Sequence, residues 1–177
     1  MHRDIKPDNV LINHTQRELA IIDWGLAELY IPKRQYSPGV GTLRYKAPEL
    51  LLGYLLYDYG VDIWAVGVTM GEMLIRYPFF QGRSHDEIIG EIADLLSGSS
   101  ILVYADELGI EVCDAYLSAM PEYNFPKWGQ MVSEMNPELR DNDALDLLKK
   151  LLTVDHMKRI SAKEALQHQF FDKLTRE

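Results

Sequence analysis

Two short segments near the start of the chain constrain it most. His2-Arg3-Asp4-Ile5-Lys6-Pro7-Asp8-Asn9 is followed, fourteen positions after Asn9, by Asp23-Trp24-Gly25. Between them, apolar runs at 10–12 and 19–22 flank a polar stretch at 13–18, the pattern of a β-hairpin. Such a hairpin brings Asn9 and Asp23 together at its open end. The residue types suit one chemistry. The Asp4 carboxylate can orient an attacking hydroxyl and take its proton, and Lys6 can neutralise charge on a phosphate in transfer. The Asn9 amide and the Asp23 carboxylate are oxygen donors of the kind magnesium takes. Six fixed residues in eight, each with a usage of about one in twenty, recur by chance below roughly once per ten million positions. A solvated polar turn is therefore the poorer reading.

The rest of the composition narrows the class. Apolar residues make up 47% of 177, enough for a sizeable core. The net charge of -9 argues against nucleic acid or an anionic membrane as partner. One cysteine, Cys113, allows no internal disulfide, fits a reducing compartment and reads as a packing residue. Met1-His2-Arg3-Asp4 has no apolar stretch of the kind a secretory signal needs. The most apolar helix candidate, 61–75, is interrupted by Asp62 and Glu72 and reads as a buried core helix rather than a membrane span.

Beyond the hairpin, 26–40 lacks a sustained period and holds Pro32 and Pro38, so it reads as a long loop. From Pro48 the pattern is helical. A short helix is expected from Pro48 to a stop at Gly53, and a long one over 61–76, apolar nearly all round. Ser84 and Glu87 form a capping-box pattern before a helix over 88–96 that Gly98 ends. The stretch 101–135 is ambiguous and predicts short helices and loops. Apolar spacing over 141–152 marks one helix face, and Ser161 with Glu164 opens a last short helix to His168. The expected fold is mostly α with one small hairpin.

Two buried charges need partners. Glu49, in the short helix, calls for a cation, and Arg159 is the candidate; such a pair holds a loop to a helix and is structural. Asp62, inside the apolar helix, is costly to bury alone. Backbone amides around His2 and Arg3 are its expected donors. His2 itself reads as a packed histidine, having no metal-ligand spacing.

With Gly41-Thr42 and Ala47-Pro48-Glu49 following in order, these motifs resemble the carboxy-terminal lobe of a eukaryotic serine/threonine protein kinase, from His2 to about Phe171. Within that superfamily the chain most resembles the catalytic subunit of casein kinase II. Asp23-Trp24-Gly25-Leu26-Ala27-Glu28, Arg76-Tyr77-Pro78-Phe79-Phe80-Gln81-Gly82, Tyr104-Ala105-Asp106 and Asp155-His156 before Arg159-Ile160 carry that likeness. The resemblance implies an α+β kinase fold represented by its helical lobe alone, with a partial domain over 1–171, a tail over 172–177 and no amino-terminal lobe. It implies ATP and magnesium as cofactors and transfer of phosphate to serine or threonine of protein substrates, with acidic sites as the family's preference. Asp4 would be the base, Lys6 the phosphate lysine, and Asn9 and Asp23 the metal ligands. Thr42 would bond Asp4 and Lys6 and floor the substrate site, with Arg44 and Lys46 contacting substrate.

Two departures from casein kinase II stand out. Asp8 replaces its usual histidine, and the 39–46 segment keeps Lys46 but not the family's full set of arginines for acidic substrates. In many kinases the residue at Arg3 clamps an activation-loop phosphate. Casein kinase II-like enzymes do without one, so none is expected here, although Tyr30, Tyr36 and Ser37 carry hydroxyls. The likeness further implies an intracellular protein of cytoplasm and nucleus, and a regulatory (beta) subunit that would dock on a full-length parent's other lobe. No glycine-rich phosphate loop precedes Asp4, and Met1 matches a methionine internal to the family. The chain is thus expected to work within a longer one. The alternatives are a non-catalytic interaction module and a non-functional truncated product.

Overall fold

The computed structural model describes residues 1–121, 128, 131 and 141–176. Much of the later half of the ambiguous 101–135 stretch therefore lies outside the described residues. The hairpin forms as β1 (Val10–Asn13) and β2 (Glu18–Ile21), antiparallel, with Val10 opposite Ile21 and Asn13 opposite Glu18. Its turn is built by Asn13, whose side-chain oxygen accepts from the amides of Thr15 and Gln16, both at 3.2 Å. The Ile22 amide donates to the Asn9 carbonyl at 3.0 Å, which extends the ladder to the residue before Asp23.

Helices make up the body. α1 (Pro48–Leu51) starts on proline, whose missing N–H is no loss in a first turn. α2 (Gly60–Ile75) is the central helix, with Val61, Trp64, Ala65, Val68 and Leu74 buried. α3 (His85–Leu96) begins three residues before the expected start. The Ser84 hydroxyl caps it by accepting from the Glu87 amide, while the Glu87 carboxylate turns to the Arg83 amide and leaves the box half formed. α4 (Gly98–Glu107) starts at the glycine expected only as a stop. Ser97, at φ 102, turns the chain between the two helices, and Ile101, Tyr104 and Ala105 then bury one face of α4. α5 (Asp114–Ala119) packs on α3. α6 (Asn142–Leu151), capped by Asp141, lays Ala144, Leu147, Leu148 and Leu151 against α2. The approach is close: a Cβ on Gly67 would meet Leu151 and Leu152 atoms at 2.9 Å. α7 (Ala162–Ala165) carries a complete Ser161–Glu164 capping box, and a 3-10 segment over Gln169–Arg176 follows. Among the described residues no single helix is long and apolar enough to cross a bilayer, and α3 with α4 bends through 113°.

A buried ion pair ties the two halves. Arg159 donates to both oxygens of Glu49, at 2.7 and 2.9 Å, and neither side chain is exposed. Its other N–H groups reach the carbonyls of Thr153, Gly60 and Val154, so all five donors are used. The hairpin has the opposite character. Leu11, Ile12, Leu19, Trp24 and Leu29 are 55–80% exposed, so neither face of the two strands is covered.

These contrasts set two stability expectations. Glu49→Ala strands a buried guanidinium and should cost about 3–5 kcal/mol in urea unfolding. Leu19→Lys, on the uncovered hairpin, should change stability by no more than about 0.5 kcal/mol. A Glu49→Ala loss under 1 kcal/mol would show that the pair does not hold 47–53 to the 153–159 loop.

Candidate active site

The catalytic-type segment 2–9 is pinned from below by α2. Asp62, in the first turn of that helix, accepts from the amides of His2 and Arg3, both at 2.7 Å. Arg3 thereby takes a left-handed backbone, φ 68, which directs residues 4–6 over the helix. On the other side, 1–3 runs beside 22–28. Met1 and Glu28 exchange backbone bonds of 3.0 Å in both directions, the His2 ring meets the Ile22 carbonyl at 3.0 Å, and it packs edge-on against Trp24. These contacts bring Asp4, Asn9 and Asp23 to one end of the hairpin.

Asp4 is the most heavily engaged side chain there. The amide and the hydroxyl of Thr42 both donate to its Oδ1 at 2.7 Å. Lys6 Nζ lies 3.0 Å from its Oδ2 and donates to the Thr42 hydroxyl at 2.7 Å. The Asn9 amide nitrogen reaches the Asp4 carbonyl at 2.8 Å and Oδ2 at 3.2 Å. Burial works against the ionised carboxyl, but the bonds from Thr42 and Lys6 and the Lys6 charge outweigh it. The group titrates below the 3.8 of a free aspartate. It is a carboxylate at any pH above that. Gly41 permits the approach: it sits at φ 80, and a Cβ there would come within 2.5 Å of the Arg3 carbonyl oxygen.

Asn9 is buried, and its NH₂ group is turned to Asp4, so its amide oxygen is the end able to face a cation. Asp23 is exposed, at φ 61, with one oxygen accepting from Gly25 at 3.4 Å. One neutral and one anionic oxygen donor at a hairpin end fit a hard cation that keeps water and phosphate ligands, as magnesium does. No cluster of three or more His, Cys, Asp or Glu side chains suited to a metal occurs among the described residues.

The residues expected to read substrate separate. Arg44 is half-buried and reaches the Gln81 carbonyl at 3.4 Å, beside Thr42. Lys46 is instead buried, donating to the Pro38 carbonyl at 3.2 Å, and burial pulls its pKa down. It braces the 38–46 loop from inside. That brace was not visible in the sequence, where a lysine in a loop reads as exposed. Arg3 also turns inward, donating to the Leu26 carbonyl at 2.6 Å and the Tyr57 hydroxyl at 3.2 Å, with Glu28 at 3.9 Å. Tyr36 is buried, accepting from the Ile31 amide at 2.6 Å and donating to the Leu29 carbonyl at 2.9 Å. Tyr57 donates to the Ser37 carbonyl at 2.7 Å. The 26–40 loop is thus held by tyrosine hydroxyls and by Glu28, which also pairs with Arg34 at 3.2 Å.

Residues 1–171 match the family model for the protein kinase domain, and the chain belongs to the protein kinase family. Members of that family transfer phosphate from ATP to protein substrates and generally use magnesium.

The Asp4 environment makes a titration prediction. Thr42→Val removes the hydroxyl that bridges Lys6 and Asp4, so the Asp4 carboxyl should move up towards 3.8 in a carbon-detected NMR titration. Because the folded value is the depressed one, the stabilisation is present above 3.8 and fades as pH falls through the folded value. The stability gap between wild type and variant should therefore close in acid. A gap that widens below pH 4 would contradict the assignment of the shift to Thr42.

Proposed function

We propose that the chain carries the hydroxyl-activating half of a serine/threonine protein kinase of the casein kinase II kind. The ionised, fully hydrogen-bonded Asp4 carboxylate carries this reading. A substrate hydroxyl donates to Asp4, which fixes its oxygen for in-line attack. Asp4 is a weak base at its lowered pKa, so it takes the proton late, as the bond to phosphorus forms and the hydroxyl becomes acidic. Lys6 keeps positive charge beside the transferring phosphoryl group while bound to Thr42. Magnesium would supply charge neutralisation of the phosphates. Asn9, through its amide oxygen, and Asp23, through its carboxylate, would hold it.

The casein kinase II likeness rests on Asp23-Trp24-Gly25-Leu26-Ala27-Glu28 and on Asp155-His156 near Arg159. The uncovered apolar surface supports action within a longer polypeptide: Leu11, Ile12 and Leu19 of the hairpin and Val66 and Met73 of α2 are all exposed. A phosphate lid and a lysine–glutamate pair would come from the covering lobe.

Two experiments test this. The 177-residue chain alone, with magnesium-ATP and a serine peptide, should transfer no phosphate. Joined behind the amino-terminal lobe of a casein kinase II catalytic subunit, it should gain transfer. Asp4→Asn should then cut the rate about 10²–10⁴-fold, and Asp23→Asn should raise the magnesium needed. A folded chimera without activity would refute the proposal. Transfer by the chain alone that Asp4→Asn removes would refute only the need for a second lobe. In the chimera Ser37→Ala should leave activity unchanged, since the loop is held without phosphate. Tyr36→Phe is a poor control, because it removes the hydroxyl that joins Leu29 to Ile31.

A further inference from the structure

The Tyr57 hydroxyl stands where two arms of the site meet. Its ring is fully buried in the core, 5.6 Å from the Tyr36 ring. Its oxygen accepts from Nη1 of Arg3 at 3.2 Å and donates to the Ser37 carbonyl at 2.7 Å. Arg3 directly precedes Asp4. Ser37 opens the run 37–42 that ends on Thr42, whose amide and hydroxyl both donate to Asp4. One oxygen thus bridges the two arms that close on the Asp4 carboxylate.

Packing does not explain that oxygen, because a phenylalanine ring would fill the same place in the core. Burial pushes the Tyr57 hydroxyl above its usual 10.0, against the pull of Arg3, so it keeps its proton for Ser37 at neutral pH. The Arg3 side chain is about 10% exposed, and its ion-pair partner among the described residues, Glu28, is 3.9 Å away. So enclosed a cation needs acceptors, and Tyr57 supplies one from the side of the loop. The neighbouring ties each hold one arm: Asp62 takes the amides of His2 and Arg3, and Lys46 takes the Pro38 carbonyl. The run 37–42 contains Gly39 and Gly41, which leave its backbone free to take many shapes unless its ends are fixed. Gly41 also lies against the Arg3 carbonyl, where a Cβ would come within 2.5 Å, so a shift of one arm reaches the other.

We infer that Tyr57 is a positioning residue: its hydroxyl fixes the Ser37 arm to Arg3 and thereby sets Thr42 on Asp4. The inference rests on the phosphotransfer reading of Asp4 and adds to it a residue that acts through Thr42.

Tyr57→Phe keeps the ring and removes the oxygen. In the 177-residue chain the Asp4 carboxyl should then move up towards 3.8 in a carbon-detected NMR titration, although the lost bonds are to Arg3 and Ser37. Amide exchange at Thr42 should quicken. Placing 4-aminophenylalanine at position 57 restores a donor for Ser37 and should return both readings most of the way. Ile88→Val, which trims the core at α3, is the control: it should lower the melting temperature and leave Asp4 unmoved. In the chimera, Tyr57→Phe should lower kcat about 10–100-fold with the KM for ATP unchanged. An unmoved Asp4 titration and unchanged Thr42 exchange in Tyr57→Phe overturn the proposal, as does an unaltered kcat in an active chimera. An equal response to Ile88→Val, a failure of 4-aminophenylalanine to reverse the change, or loss of the cooperative melt in Tyr57→Phe overturns it too, because Tyr57 would then serve the core rather than the loop. Titration and exchange are read without turnover, so a chimera that stays inactive while Asp4 still responds to Tyr57→Phe would sink the phosphotransfer reading alone.

Discussion

Everything at the site hangs on the Asp62 carboxylate. It leaves the first turn of the most buried helix and receives two backbone amides, from His2 and Arg3, at 2.7 Å each. The arrangement answers two demands at once. A carboxylate near a helix N-terminus is favoured by the helix dipole, and its partial burial is compensated by charge-assisted bonds. In return the peptide at 2–3 is locked against the core, with Arg3 forced to φ 68. Asp4 then projects towards Thr42 rather than solvent. A polar residue in an apolar helix is usually a liability, and here it is the link from core to chemistry.

The loop that faces Asp4 is held from a different side. Glu49 and Arg159 fix α1 to the 153–159 loop, and Thr42 precedes α1 by a short turn. Lys46, buried on the Pro38 carbonyl, closes that turn from within. Asp4 and Thr42 are therefore carried by two supports, Asp62 and the Glu49–Arg159 pair, that meet on α2 through the Gly60 carbonyl. Hydrogen bonds of 2.7 Å between Thr42 and Asp4 follow when both supports are rigid.

Much of this was legible in the sequence because strong local rules applied. The hairpin, the long apolar helix and the Ser161 capping box each obey one period or one cap motif. The charged residues in apolar settings, Glu49 and Asp62, pointed to partners because unpaired burial is so unfavourable. Other features depended on tertiary contact and left no local trace. α4 starts on Gly98 because Ile101 and Tyr104 find a core face, although glycine there reads as a stop. Lys46 looked like a surface cation, and only the fold of 38–46 buries it.

The exposed hairpin gives the remaining constraint. Two strands of four residues are marginal in water on their own, and here both faces are open. Yet Asn9 and Asp23 sit at the end of this hairpin, and the spacing between them depends on it. The rigidity must come from its base, where His2 meets Ile22 and Trp24 and Arg3 meets Leu26. Asn9, tied to Asp4, lies within this fixed base, whereas exposed Asp23 has one side-chain contact at 3.4 Å. The two side chains are thus unequal: Asn9 is held by its bonds to Asp4, and Asp23 by a single long contact to the Gly25 amide. The exposed Leu11, Ile12 and Leu19 lie on the same hairpin that carries both side chains, so any contact that covered this apolar face would also steady the spacing of Asn9 and Asp23.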